Sequence, residues 1–136
     1  MEQARARGQT WVCIDPRRTD TAEMSDLHLA IAPQSDVRLW NGLLANLIER
    51  GAVDLAYVAA HVSGFDAVKA QLQQQDQSLS AVAGDCGVSE RDLLAFYDLF
   101  AANPRTVVVV RCPGACVMPW RADVQAILNQ CVAGVG

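Results

Sequence analysis

The sequence predicts an α/β domain built on a parallel sheet. Three short apolar segments, at 10–14, 27–32 and 106–111, read as strands, and stretches with helical apolar spacing separate them. The strand candidates are nearly continuous apolar runs rather than alternating ones, the pattern of a sheet covered on both faces. The order strand, helix, strand, helices, strand, helix is that of parallel strands joined by right-handed crossovers. With 136 residues, 51% of them hydrophobic and 19% charged, the chain has enough apolar surface for one core and does not read as disordered.

Element by element, residues 2–8 read as the tail of a helix, with Arg5 and Arg7 in its last turn and Gly8 as its stop. The first strand, T-W-V-C-I, is broken at once by Asp15-Pro16, and the second is apolar apart from His28. Ser35 is a suitable N-cap for a helix to Gly51, with Val37, Trp40, Leu43, Leu44, Leu47 and Ile48 on one face. Asp54 caps a helix carrying Leu55, Tyr57, Val58 and Val62. Gly64 separates it from another that starts at Phe65 and frays into the polar stretch 71–80, read as solvated surface. Ser89 opens a helix that Asn103-Pro104 ends, with Asp92 at its third position and Val88 and Leu93 flanking the cap. T-V-V-V-V-R at 106–111 is the strongest strand signal, and a last helix is expected over 121–131. Three strands make a thin sheet, and a start in mid-helix suggests that its feeding strand is missing. Residues 1–136 therefore read as a single, truncated domain of something larger.

Charge and cysteine usage narrow the function. Eleven basic against fifteen acidic side chains leave a net charge of -4, which argues against a nucleic-acid binder. No apolar run approaches the ~20 residues that span a bilayer, so no membrane is expected. No apolar segment follows the basic start M-E-Q-A-R-A-R-G-Q-T as in a secretory signal. Cys13, Cys86, Cys112, Cys116 and Cys131 have no regular spacing, which suits reduced thiols in the cytoplasm. Cys112 and Cys116 are the only close pair, and His28 and His61 are too far along the chain to complete a zinc site by local spacing. Both histidines read as structural and hydrogen-bonded, and Trp11, Trp40 and Trp120 as core or interface anchors.

Ligands of an open parallel sheet bind beyond the carboxyl ends of its strands. Two loops lie there. After the first strand come Asp15, Pro16, Arg17, Arg18 and Thr19: a carboxylate able to accept from vicinal ribose hydroxyls, a stiffened turn, and two forked donors for phosphate oxygens. After the second come Pro33, Gln34, Ser35 and Asp36, leading straight into a helix. A carboxylate there suits a donor edge such as the adjacent N1–H and N2 amine of guanine. The same residues are also common turn and cap chemistry, Asp-Pro as a turn opener and Ser-Asp as a helix start. There is no G-x-G-x-x-G and no P-loop, so an ordinary NAD or ATP site is not supported.

Residues 13–46, C-I-D-P-R-R-T-D-T-A-E-M-S-D-L-H-L-A-I-A-P-Q-S-D-V-R-L-W-N-G-L-L-A-N, resemble the molybdopterin oxidoreductases, the nitrate reductases among them most of all. The family pattern there is a strand, D-P-R-x-T, T-A-x-x-A-D, L-x-L-x-I, P-G/Q-T/S-D and a helix opening with N-G-L. Residues 52–65 and A-I-L-N at 126–129 extend the likeness over most of the chain.

The resemblance implies a Rossmann-like domain that holds molybdopterin guanine dinucleotide. Asp15, Pro16, Arg17, Arg18 and Thr19 would then line the guanosine and phosphate end. Gln34, Ser35 and Asp36 would read the guanine. It further implies molybdenum, an iron–sulfur cluster and reduction of nitrate in a longer enzyme, with the rest of that enzyme, or a partner on the open sheet edge, beside this chain. Two departures limit it. The C-x-x-C-x-x-x-C cluster pattern is missing, and R-C-P-G-A-C-V-M-P-W at 111–120 stands where the family has Q-G-x-N-Q. The chain alone is therefore expected to be inactive. A non-catalytic interaction module, or the same domain of a formate-dehydrogenase-like enzyme, are the alternatives.

Overall fold

The computed structural model describes residues 6–103 and 105–109. Its elements are β1 (Val12–Ile14), α1 (Asp20–Glu23), β2 (Leu27–Leu29), α2 (Asp36–Glu49), α3 (Leu55–His61), α4 (Phe65–Leu72), α5 (Leu79–Cys86) and α6 (Glu90–Ala102). Among the described residues the fold is mixed α/β and mostly helical, with one two-stranded sheet. β1 and β2 are parallel, in the register Val12 with Leu27, Cys13 with His28 and Ile14 with Leu29. The expected parallel pairing is therefore present, and the strands are shorter than predicted. β1 stops where Pro16 offers no N–H for a ladder. Beyond it, the Ala32 N–H turns to the Cys86 carbonyl at 2.7 Å instead of to a strand.

Helix ends follow their caps. Thr19 accepts from the Ala22 N–H at 3.3 Å, Asp54 from Tyr57 at 2.9 Å and Ser89 from Asp92 at 3.1 Å. Ser35 departs from the expected pattern. Its hydroxyl donates backwards to the Ala32 carbonyl at 2.6 Å, beside its own N–H on the same oxygen, and makes no cap bond.

The core gathers Leu29 and Ile31 behind the sheet, Leu39, Leu43, Leu44 and Leu47 of α2, Val82 and Cys86 of α5, and Leu93, Phe96, Tyr97 and Phe100 of α6. Trp40 closes one side, edge-on to Phe96 and Phe100 at 5.9 and 6.5 Å. At the centre, α2 and α5 meet across Gly42. A Cβ there would lie 2.5 Å from the Tyr97 hydroxyl oxygen and 2.9 Å from both Val82 methyl carbons.

Two expectations are corrected. The polar stretch 71–80 is not all surface coil, because Ser78 caps α5 and Leu79, Val82, Ala83 and Cys86 recur at helical spacing. Residues 106–109 form no ladder with the sheet. Val107 and Val109 are 85% and 87% exposed, and Val108 alone of these valines packs on the core. Residues 6–8 form a turn with Gly8 at φ +78°, and the rest of the helix tail expected over 2–8 lies outside the described residues. The expected helix at 121–131, Cys112, Cys116, Cys131, Trp120 and the rest of the third strand candidate lie outside the described residues.

Candidate functional site

Because β1 and β2 run parallel and in register, both leave the sheet at the same edge. The 15–19 loop therefore follows β1 directly, and the 33–36 loop comes after residues 30–32, beyond the adjacent carboxyl end of β2. Asp15 is fixed there by its backbone: its N–H donates to Leu29 at 3.2 Å, and its carbonyl accepts from the His28 Nε2–H at 2.9 Å. His28 is thus satisfied by backbone, as expected. The Asp15 carboxylate accepts the Arg17 N–H at 2.8 Å, an Asx turn that folds the loop back over Pro16.

The two arginines lie outermost. Arg17 and Arg18 are 81% and 77% exposed along their side chains, and their ion pairs to Asp15 and Glu23 are long, 3.7 Å each. Such exposed pairs contribute little and yield readily to a stronger anion. Thr19 is spent as the cap of α1.

The second loop is built differently. Gln34 is exposed with φ +70°, the only non-glycine in the left-handed region among the described residues. That region suits glycine, and side chains held there recur where function over-determines the backbone. Ser35 is buried, with its hydroxyl committed to Ala32. Asp36, half-buried, begins α2, where the first-turn amides favour a carboxylate. Its charge reaches the Cys86 thiol behind the loop, whose pKa is raised chiefly by burial. Burial also raises the Cys13 thiol, helped by Asp15.

Sequence reasoning missed the residues behind this loop. The Cys86 thiol lies 3.8 Å from the Ser35 carbonyl, and Gly87, at φ +69°, brings the end of α5 against Ala32. Arg38, in the first turn of α2, donates from Nε to Asp85 at 2.7 Å, from one terminal nitrogen to the Gln77 side-chain oxygen at 2.7 Å and from the other to the Asp76 carbonyl. The signal was local: Ser78 as a cap, an apolar 3–4 spacing and Gly87 as a stop. One other expectation changes. His61 is exposed in the last turn of α3, its ring 4.5 Å from that of Tyr57, instead of holding the hydrogen-bonded structural role expected. A shallow cavity of about 470 Å³ lined by Arg38, Gln75, Asp76, Ala81 and Asp85 contains no residue of either loop. Among the described residues no three His, Cys, Asp or Glu side chains cluster as a metal site, and no helix is long and apolar enough to cross a membrane.

No family model matches the chain. Individual proteins do. A nitrate reductase of Shewanella frigidimarina is 39% identical over 132 residues, 97% of this chain and 14% of that protein. A nitrate reductase of Klebsiella oxytoca is 39% identical over 72% of the chain and 10% of its own length. The F420-dependent formate dehydrogenase subunit alpha of Methanocaldococcus jannaschii is 26% identical over 93% of the chain. Among solved structures, acetylene hydratase from Pelobacter acetylenicus superposes with a TM-score of 0.64 at 28% identity, covering 73% of this chain and 13% of that one. The chain thus spans less than a fifth of the length of each of these relatives. Over that length it is homologous to one segment of the molybdopterin oxidoreductases, nitrate reductases and a formate dehydrogenase subunit among them.

Proposed function

We propose that the chain holds the guanosine end of a molybdopterin guanine dinucleotide in a nitrate-reductase-like enzyme that reduces nitrate to nitrite. The observation that supports this reading is the in-register parallel pairing of β1 and β2, whose adjacent carboxyl ends lead into the D-P-R-R-T loop at once and the P-Q-S-D loop after residues 30–32. In this reading the two strands are part of a Rossmann-like sheet, and 1–136 is one cofactor-binding domain.

Each loop residue then has a task. Asp36 accepts the N1–H and N2 amine of guanine in two parallel charged hydrogen bonds. Gln34, in its left-handed turn, and Ser35, locked to Ala32, shape the strip on which the base lies. Arg17 and Arg18 exchange their long ion pairs for the phosphate oxygens. Asp15, Pro16 and Thr19 hold that turn open, Asp15 facing the ribose. The cofactor, when bound, supplies molybdenum on its dithiolenes for oxygen-atom transfer, with electrons from an iron–sulfur cluster in the longer protein. The chain's own part is to bind and orient. The rest of that protein, or a partner, covers the open sheet edge, and the setting is cytoplasmic, without nucleic acid or membrane. The formate dehydrogenase relative, matched over 93% of the chain, supports a second reading in which the same loops serve formate oxidation.

Calorimetric titration of the chain with GDP and ADP tests the guanine reading. GDP is expected to bind more tightly, and Asp36→Ala to weaken GDP by ~1–3 kcal/mol through loss of charged hydrogen bonds. Equal affinity for the two nucleotides in the parent chain would refute it.

A further inference from the structure

We infer that Asp85, acting through Arg38, is a positioning residue for the guanine-reading carboxylate of Asp36; this rests on the reading above. Two consecutive residues at the end of α5 grip the chain on both sides of Asp36. On one side the Cys86 carbonyl accepts the Ala32 N–H at 2.7 Å, and its thiol faces the Ser35 carbonyl at 3.8 Å. On the other, the Asp85 carboxylate accepts from Arg38 Nε at 2.7 Å.

Arg38 does not act as a loose surface cation. Its side chain is only 15% exposed, and its remaining donors reach the Gln77 side-chain oxygen and the Asp76 carbonyl. Gln77 is itself tied to the Leu72 carbonyl at 3.1 Å. The planar fork thus joins the first turn of α2 to α5 and to the 73–78 connection at once. A single lysine ammonium cannot reproduce that geometry. The backbone between the two Cys86 contacts, at Ala32 and Ser35, carries Gln34 at φ +70°, a conformation that persists only when its surroundings impose it. A recognition group is only as selective as the shell that fixes its direction. Releasing the Asp85 grip lets the first turn of α2 shift, and the two carboxylate oxygens of Asp36 lose their alignment with a donor pair.

The test uses the whole 136-residue chain, with GDP and ADP as probes and the melting temperature of each variant measured alongside. Asp85→Ala is expected to lower the GDP-over-ADP affinity ratio roughly three- to tenfold, the usual size of coupling through such contacts. Asp85→Asn, which keeps an acceptor oxygen toward Arg38, should restore most of it. Arg38→Lys retains charge and bulk and should lower the ratio as Asp85→Ala does, which keeps the test open if the alanine variant fails to fold. A merely structural role would lower the melting temperature and leave the ratio of the folded protein unchanged. That outcome, in a parent that prefers GDP, overturns the role of Asp85 and Arg38 alone. A parent without preference overturns the guanine reading and this inference together.

Discussion

Adding one methyl group at Gly42 should destabilise the chain, although alanine is the better helix former. The new Cβ would lie 2.9 Å from both Val82 methyl carbons and 2.5 Å from the Tyr97 oxygen. Favourable carbon contacts lie near 3.5–4.0 Å, so α2 and α5 would have to separate or Tyr97 to swing away. Overpacking of this kind costs roughly 1–3 kcal/mol, against about 1 kcal/mol gained from helix propensity. The net loss, up to ~2 kcal/mol, corresponds to a fall in Tm of up to about 10 °C in a domain of this size, read by circular dichroism. Tyr97→Phe supplies the control. The Tyr97 hydroxyl is buried without a hydrogen-bond partner among the described residues, so its removal should be neutral or stabilising. It should also recover part of the Gly42→Ala loss, giving a coupling of ~0.5–1 kcal/mol in a double-mutant cycle. A Gly42→Ala chain as stable as the parent would show that the two helices do not need this close approach.

Gln34→Gly should raise stability by about 0.5–1 kcal/mol in urea unfolding, because a left-handed side chain costs ~1–2 kcal/mol and glycine returns part of that as entropy; unchanged or lower stability would remove the strain argument. Burial raises the Cys86 thiol above its ordinary 9.0. The folded chain therefore keeps a proton that the unfolded chain releases, so this contribution is complete below pH 9 and is lost as pH rises through the folded value. Urea midpoints should fall more steeply above pH 9 in the parent than in Cys86→Ser, whose hydroxyl does not titrate there, and parallel curves would assign the alkaline loss elsewhere.

Local chemistry was the legible part of the fold. The ends of α3 and α6 followed from Asp54 and Ser89, whose oxygens bond amides three residues away. Partners that close were visible without any knowledge of tertiary structure. The inward arc of α2 differs slightly from the one its apolar spacing predicts. Trp40 is half-buried, and the helix turns Leu39 and Gly42 fully inward because it faces α5, an element hidden behind the glutamines of 71–77. T-V-V-V at 106–109 shows the limit of propensity. Valine favours extended backbone, but a ladder needs a partner strand, and two of these valines point to solvent.

The same division runs through the candidate site. The residues that would touch a ligand stand in two short, contiguous loops, so their chemistry could be read from residue types: acids for donor edges, arginines for oxyanions. What fixes those residues is distant in sequence. Arg38 and Asp85 are 47 positions apart, and the Cys86 thiol meets the Ser35 carbonyl across 51. Neither pairing has a local signature, and a half-buried arginine read alone resembles any solvated basic residue on a helix. Recognition chemistry is carried by side-chain type, whereas aim is carried by tertiary contacts. A chain that kept both loops but lost Asp85 would still look like a guanine site in sequence, and the affinity ratio is the measurement that separates the two.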